Sequence, residues 1–463
     1  MVPITKDWLK QYGQEHLLNF ESHWTTEQRL KVLAQLASID FDLIRRLAAN
    51  NSEELDGSRL ASMADPPPSV RIGQEHRQFS SQSAKQAGEA ALRSGQIGMI
   101  LVAGGQGTRL GFDRPKGLFS IGPISGRTLF QMHIDRLLAV MKRYEVSIPM
   151  YVMTSPATDA ETRAYFDQES RLGLKADQLN IFCQGTMPAI DATSGRILLS
   201  GPTEIAVSPD GHGGLVSAMA SSGCFEHARK RGIDHFFYAQ VDNPLVEVCD
   251  PLLIGYHLLS HSQMTTQVVR KRFPKEKVGN VVSVEGKVQI IEYSDLPDTV
   301  AEQILPDGSL KLWAGNIAVH VFDRGFLESV VESIDGLPFH RASKAVPFVD
   351  DAGKLVKPVS PNAIKFERFI FDLLPLAERA FVVEADATKV FAPVKNADGE
   401  SVDTPADTRR ALLALHRHWL TIAGAKVKDG VSVEVHPNWA LDLDDVRKKI
   451  TPGLLFEADT YLR

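Results

Sequence analysis

Three cysteines in 463 residues, Cys183, Cys224 and Cys249, are too few and too scattered for a disulfide framework or a thiolate metal site. They fit reduced thiols and a cytoplasmic location. No stretch approaches the ~20 apolar residues that a membrane-spanning helix needs. The opening MVPITKDWLKQYGQEHLL mixes charges among its apolar residues and lacks the apolar centre of a signal peptide, so no membrane partner is expected. Positive charge is not in excess: 51 Lys and Arg against 57 Asp and Glu leave a net charge of −6. That balance argues against a general nucleic-acid binder and confines any basic cluster to a local role. Internal repeats and low-complexity tracts are also missing. What remains is an ordinary globular composition, 43% hydrophobic and 23% charged, long enough for two or three domains. It says nothing about oligomeric state.

Texture along the chain predicts three parts. Residues 1–92 read as a helical segment, interrupted by ADPPPSVRIG at 64–73, where consecutive prolines end any helix. SAKQAGEAALRSG, 83–95, reads as a further helix stopped at Gly95. Residues 93–388 alternate near-continuous apolar runs (IGMILVA, IPMYVMT, DHFFYAQV) with helix-like stretches such as TLFQMHIDRLLAVMKRY. That pattern implies an α/β fold with a largely parallel sheet covered on both faces. A small C-terminal domain, 389–463, contains RRALLALHRHWLTIAG, with Leu412, Leu415, His416, Trp419 and Leu420 near one helical face.

LVAGGQGTRLGFDRPKGLF, 101–119, carries the chemistry. An apolar run ends in Gly104, Gly105 and Gly107, and Arg109, Arg114 and Lys116 follow. Glycines let another group approach the main chain, and free N–H groups beside basic side chains suit an anion such as phosphate. The dinucleotide fingerprint G-x-G-x-x-G fails here, because the third glycine, Gly111, comes one position late, so a dehydrogenase is not favoured. The P-loop pattern fails as well, because Pro115 and not glycine precedes Lys116. Other positions are ambiguous on their residues alone. Asp242 ends an apolar run, where it is as readily a cap as a ligand. Asn362 is a plausible N-cap, and the spacing of Phe366, Phe369, Ile370, Leu373 and Leu374 predicts a helix with Lys365 in its first turn. A cation there opposes the helix dipole, a mild sign of a ligand role.

The string AGGQGTRLG…PKGLF resembles the signature of nucleotidyltransferases that make nucleotide-sugars. NIFCQGTMPAID, SPDGHGGLVSAM, YAQVDNPLVEVCDP, EKVGNVV, IIEYSDL, AGNIAVH, PNAIKFERFIFD and FAPVKNADG follow in a consistent order. Together they are similar to the eukaryotic-type UDP-sugar pyrophosphorylases, most of all the UDP-N-acetylglucosamine branch, over roughly residues 95–425. The resemblance implies a Rossmann-like nucleotidyltransferase core with a C-terminal lid. It implies transfer of uridylyl from UTP to a sugar 1-phosphate, with release of pyrophosphate. Arg109, Lys116 and Lys395 would then act on phosphates. Asp242 would hold Mg²⁺, a hard cation that takes oxygen ligands. Val102, Ala103, Gly104 and Gly105 would line the nucleotide, while Gln184 and Gly211 would read uracil. His212, Gly279, Glu292, Tyr293 and Asn316 would face the sugar, and Lys365 would contact ligand.

One residue departs from the pattern. N-acetylglucosamine enzymes carry Asn where His212 stands, and UDP-glucose-type relatives carry His in a comparable GHG. Asn pairs with an acetamide through both its amide groups, whereas imidazole offers one donor and one acceptor. The sugar is therefore N-acetylglucosamine or a hexose such as glucose or galactose, with relaxed or hexose-leaning preference expected. A non-catalytic UDP-sugar-binding or regulatory protein is the rival from another class. Such a protein would be expected to lose its phosphate and metal residues first, and all of them are present.

Overall fold

Residues 97–102, IGMILV, are apolar throughout, and a strand buried on both faces needs that composition. In the computed structural model, which describes residues 4–49, 57–333 and 336–463, they form a central strand of a ten-stranded sheet. Backbone contacts divide the chain into two units. The first comprises Met1–Asp56, Gln184–Leu215 and Ile334–Asp372; the second comprises Gly57–Cys183, Val216–Ser333 and Leu373–Arg463. Residues 1–92, read above as one segment, are thus shared between the units. The first unit also takes two stretches from the region read as a single core.

The second unit holds the sheet. Its strands are β1 (Ser69–Val70), β2 (Ile97–Val102), β3 (Met150–Thr154), β4 (Leu179–Cys183) and β5 (His235–Gln240). There follow β6 (Met264–Arg270), β7 (Asn280–Val284), β8 (Lys287–Ile291), β9 (Ala314–Asp323) and β10 (Ala380–Ala385). The order is β1-β10-β6-β9-β5-β2-β3-β4, with β7 added on β9 and β8 on β7. Every pair along that path is parallel except those made by β9, which runs antiparallel to both β5 and β6.

Four helices of this unit matter below: α1 (Ser81–Arg93), α2 (Leu129–Tyr144), α3 (Pro251–Leu259) and α4 (Pro405–Ile422). Their starts are written in the sequence. Ser80 caps α1, Thr128 and Gln131 form a capping box on α2, and Asp250 caps α3 ahead of Pro251. Gly95, beyond α1, has φ +75°, as expected of a stop. Phe130, Ile134 and Leu137 of α2 bury against Met99, Leu101, Met150, Val152 and Phe237 of the sheet. At the C-terminal end Leu420 of α4 packs with Val433, Val435, Val446 and Phe456 in a separate small core.

The first unit is built differently. Helices Thr26–Ala37 and Phe41–Ala49 bury Val32, Leu36, Phe41 and Ile44 against Met187, Ile190, Ile205 and Phe366. Strand Thr186–Pro188 pairs antiparallel with Val207–Pro209, and Ala363–Glu367 lies between His340–Lys344 and Ile190–Asp191. Lys365 therefore sits on a strand, opposite Ala342, and not in a helical first turn. Asn362 does not cap; its Oδ1 accepts the Val346 N–H at 2.8 Å. Pairing with a distant strand overrides the local 3.6-residue spacing, and the helical part of that spacing survives only as the short 3-10 turn Ile370–Leu376.

Candidate active site

From β2 the chain proceeds to β3 and β4 on one side, then returns to place β5 on the other side of β2. Open α/β sheets bind ligands at such a reversal, beyond the carboxyl ends of the strands. Val102 and Gln240 are paired at those two ends, so the glycine loop and Asp242 leave the sheet side by side. Val102 and Ala103 are committed to the sheet through main-chain bonds: the Val102 carbonyl accepts from Val241, and the Ala103 N–H donates to Met153. The loop proper is pinned from below, where Ser155 Oγ donates to the Gly104 carbonyl at 2.7 Å and the Lys116 N–H to the Gly105 carbonyl at 3.0 Å. Above Gly105 the space is open; a Cβ there would meet nothing within 4 Å.

The three basic residues of the loop differ in how they are engaged. Arg114 is held by Glu161 at 2.5 Å. Lys116 Nζ lies 3.2 Å from Asp242 Oδ2, with both side chains 15% exposed. Arg109 is exposed and has no carboxylate partner among the described residues. Burial of Asp242 disfavours its charged form, but Lys116, then Lys395, outweigh that and hold its carboxyl below the ordinary range. It is an ionised oxygen donor at the end of a strand, beside two cations.

A divalent cation, which this fold class generally uses, fits such a donor. Mg²⁺ is commonly held by one or two carboxylates together with substrate phosphates and water. Among the described residues no group of three or more His, Cys, Asp or Glu forms a metal cage.

A second cluster gathers three expected sugar-facing residues. A Cβ on Gly279 would stand 3.2 Å from Glu292 Oε1 and 3.7 Å from Asn316 Cβ, and the Asn316 N–H donates to the Gly279 carbonyl at 2.8 Å. Glu292 follows β8, as its sequence context suggests. Asn316 instead lies inside β9, where the register against β6 slips between Gln267 and Val268 and Ala318 adopts φ +54°. Such a bulge re-aims side chains, and Asn316 Oδ1 accepts the Ala318 N–H at 3.0 Å across it. Tyr293, beside Glu292, is 47% exposed.

In the first unit Gln184 is largely buried, yet its side-chain amide makes no hydrogen bond among the described residues. Gly211 has φ +82°, and a Cβ on it would meet the Arg368 carbonyl oxygen at 2.3 Å, so only glycine is accommodated. The Gly213 N–H donates to that same carbonyl, and Arg368 returns the bond from its own N–H to Asp210. Arg368 Nη2 and the buried Asp210 Oδ2 pair at 2.7 Å. His212 Nδ1 accepts the Ile370 N–H at 3.0 Å, and its ring leans on Phe369 and Phe371. Burial, then the nearby His340, lower the His212 pKa to about 4. The ring is neutral, and its proton is on Nε2.

Sequence reasoning passed over the residues that hold these parts in place. Asp210 and Arg368 stood inside recognised motifs without a role. His133 of α2, 1% exposed, donates from Nε2 to the Val241 carbonyl at 3.0 Å, next to Asp242; nothing in a helical stripe distinguishes it from a core residue.

Glycine loop, ionised carboxylate and lysines gather at the reversal of a mostly parallel sheet, the architecture of a nucleotidyltransferase core. The chain belongs to the UTP–glucose-1-phosphate uridylyltransferase family, whose model matches residues 41–444. It is 41% identical to the UDP-N-acetylglucosamine pyrophosphorylase of Saccharomyces cerevisiae, over 75% of this chain and 74% of that one. It is 36% identical to the UDP-N-acetylhexosamine pyrophosphorylase-like protein 1 of Mus musculus, over 92% of this chain and 87% of that one. Among solved structures, the uridine diphosphate N-acetylglucosamine pyrophosphorylase of Trypanosoma brucei, in complex with an inhibitor, superposes with a TM-score of 0.81 at 26% identity. That match covers 99% of this chain and all 100% of the other. No helix among the described residues is long and apolar enough to cross a membrane.

Proposed function

We propose that the chain transfers the uridylyl group of UTP to a sugar 1-phosphate. The sugar-phosphate oxygen attacks the α-phosphorus of UTP, the bond from that phosphorus to the β-phosphate oxygen breaks, and pyrophosphate leaves. The attacking group is already an anion, so no side chain has to generate a nucleophile. The task is to bring anions together and to stabilise charge on the leaving pyrophosphate. The observation that carries this reading is the site at the β2–β5 reversal, where an open glycine loop meets the Lys116–Asp242 pair and the segment leading to Lys395.

Arg109, with no carboxylate partner among the described residues, binds phosphate oxygens, and Lys116 and Lys395, both of which act on Asp242, do the same. Asp242 would hold Mg²⁺, which when bound would supply neutralisation of phosphate charge. Gln184 offers its unpartnered amide, one donor and one acceptor, to the imide edge of uracil, and Gly211 brings main chain to the base. Gly279, Glu292, Tyr293 and Asn316 face the sugar hydroxyls, and Lys365, on its strand, contributes positive charge. A binder without catalysis would have little use for an ionised carboxylate paired with Lys116 and under the charge of Lys395. Cysteines this few and this scattered suit a reducing compartment, the cytoplasm.

For the sugar, His212 decides. Its neutral ring has its acceptor nitrogen occupied and presents one N–H. A 2-hydroxyl oxygen and an acetamide carbonyl both accept such a bond, so N-acetylglucosamine 1-phosphate and plain hexose 1-phosphates are used comparably. Pyrophosphate release measured over a panel of sugar 1-phosphates, with UTP and with CTP, tests both halves. UTP should be preferred by orders of magnitude, because cytosine leaves buried polar groups unpaired. Equal use of CTP removes Gln184 from base recognition, and no release with any sugar removes the activity.

A further inference from the structure

We propose that Asn243 is a positioning residue that sets Lys395 against Asp242; this rests on the reading of Lys395 as a phosphate-binding group. Residues 391–395 form neither helix nor strand, so their main-chain groups need partners from elsewhere. Asn243, 4% exposed, provides them. Its Nδ2 donates to the Val390 carbonyl at 2.8 Å, and its Oδ1 accepts the Ala392 N–H at 3.1 Å. One residue earlier, the Asp242 carbonyl accepts the Val394 N–H at 2.9 Å. Positions 390, 392 and 394 are thus gripped in turn, the two-residue period of a strand edge. A primary amide serves here as a stand-in for a peptide unit, in a stretch where Pro393 has no N–H to give.

The direction of support follows from what holds Asn243 itself. On the far side, α2 fixes the same loop: His133 donates to the Val241 carbonyl, and Arg136 Nη1 donates to the Leu245 and Val246 carbonyls at 3.2 and 2.8 Å. Asn243 Oδ1 also accepts the Leu245 N–H at 3.3 Å, closing the turn. The Asp242–Asn243 loop is therefore anchored to a helix, and positions 390, 392 and 394 bond to that loop, while Thr408 Oγ1 donates to the Pro393 carbonyl at 3.2 Å from the other side. Lys395 has no carboxylate within ion-pair distance among the described residues. Its Nζ stands 5.6 Å from the centre of the Phe391 ring. Its place is set by its main chain, which Asn243 and the Asp242 carbonyl hold at 390, 392 and 394 and the Asp403 carbonyl holds at the Lys395 N–H, 2.8 Å away.

Asn243→Asp keeps size and shape but replaces the donor to Val390 with a second acceptor. In otherwise unaltered full-length protein it should lower kcat roughly 30-fold, with KM for UTP within about threefold, because the affected group acts on charge that develops in the reaction. In a Lys395→Ala background the same change should cost less than about threefold, since residues acting through one another are not additive. Hydrogen exchange should quicken at the Ala392 and Val394 amides and stay slow at Ile100 of β2. Should the aspartate variant not fold, Asn243→Ser is carried through the same cycle. Equal losses in both backgrounds overturn the proposal, as does undiminished turnover of the Asn243 variant. A Lys395→Ala enzyme as active as the unaltered one defeats the phosphate role of Lys395 first, and this proposal with it.

Discussion

His212→Asn reads the sugar preference most directly. Imidazole with Nδ1 accepting from Ile370 and with a pKa near 4 is a single-donor group at any pH where the enzyme is assayed. An acetamide presents both a carbonyl and an N–H. His212 can satisfy the carbonyl and leaves the acetamide N–H for water or another group. Asparagine has donor and acceptor on one planar amide and can satisfy both. The substitution therefore adds about one hydrogen bond to the N-acetyl sugar that a 2-hydroxyl cannot use in the same way. One net hydrogen bond is worth about 1 kcal/mol, so the ratio of kcat/KM for N-acetylglucosamine 1-phosphate over glucose 1-phosphate should rise between five- and tenfold, approximately.

The assay is pyrophosphate release with each sugar phosphate at fixed UTP, repeated with both sugars in competition. A cost accompanies the change. Ile370 is buried, and its N–H loses its partner unless the asparagine oxygen reaches it, so the variant should lose stability, of order 1–3 kcal/mol at most, and melt lower. His212→Ala separates the two effects, since it removes the partner of Ile370 and adds nothing for the sugar. Unaltered enzyme that already discriminates more than about a hundredfold for the N-acetyl sugar refutes the reasoning, because one N–H cannot supply that ratio. An unchanged ratio in His212→Asn refutes it equally.

Arg109→Ala and Lys395→Ala should each lower kcat by about a hundredfold, ~3 kcal/mol, while uridine binding measured by calorimetry changes little. Unchanged turnover in both takes them out of the mechanism. Gly211→Ala forces a Cβ to within 2.3 Å of a carbonyl oxygen at φ +82°, so it should lose uridine affinity and thermal stability together, whereas Gly105→Ala, facing open space, should keep its melting temperature. Acid should unfold the protein early. His133, His257 and His416 are each 3% exposed or less, and burial lowers all three pKa values, His133 to about 4 and His416 to about 3. Between pH 6.5 and those values the unfolded chain binds more protons, so stability falls as pH falls. Each buried histidine contributes a slope on the order of 1.4 kcal/mol per pH unit. A flat melting temperature from pH 6.5 to 4.5 contradicts that.

The architecture was legible where burial leaves a signature in consecutive residues. IGMILV, MYVMT and HFFYAQ announce strands buried on both faces, and capping residues announce the helices between them. That Gly104, Lys116 and Asp242 would come together was legible for the same reason, since they lie at or near strand ends. Lys365 was misplaced because its environment is made by residues 340–344, a partner that local spacing does not encode. Asp210 and Arg368 form an ion pair 158 residues apart in sequence, and a single chain gives no sign that they meet. Asn243 was hidden more thoroughly. It stands beside Asp242 in QVDNPL and looks like a turn amide, and its partners are main-chain groups that any residue supplies.

What a side chain is able to do can be read from its type; how much of that ability remains depends on what the fold has already engaged. Arg114 and Arg109 look interchangeable in TRLGFDRPKG, yet Glu161 holds the first, and the second has no carboxylate partner among the described residues. His212 has a donor and an acceptor as a residue, and one donor once Ile370 has taken the other nitrogen. Asp242 is buried, which alone argues for a protonated acid, and two ammonium groups reverse that. The conversion runs through main-chain geometry: the turn after Asp210, the bulge at Ala318, the loop closed by Asn243. The hydrogen-bonding capacity left at these candidate positions is therefore set as much by their neighbours as by their own type. Exchanging His212 alone should accordingly move sugar preference by about one hydrogen bond and no further.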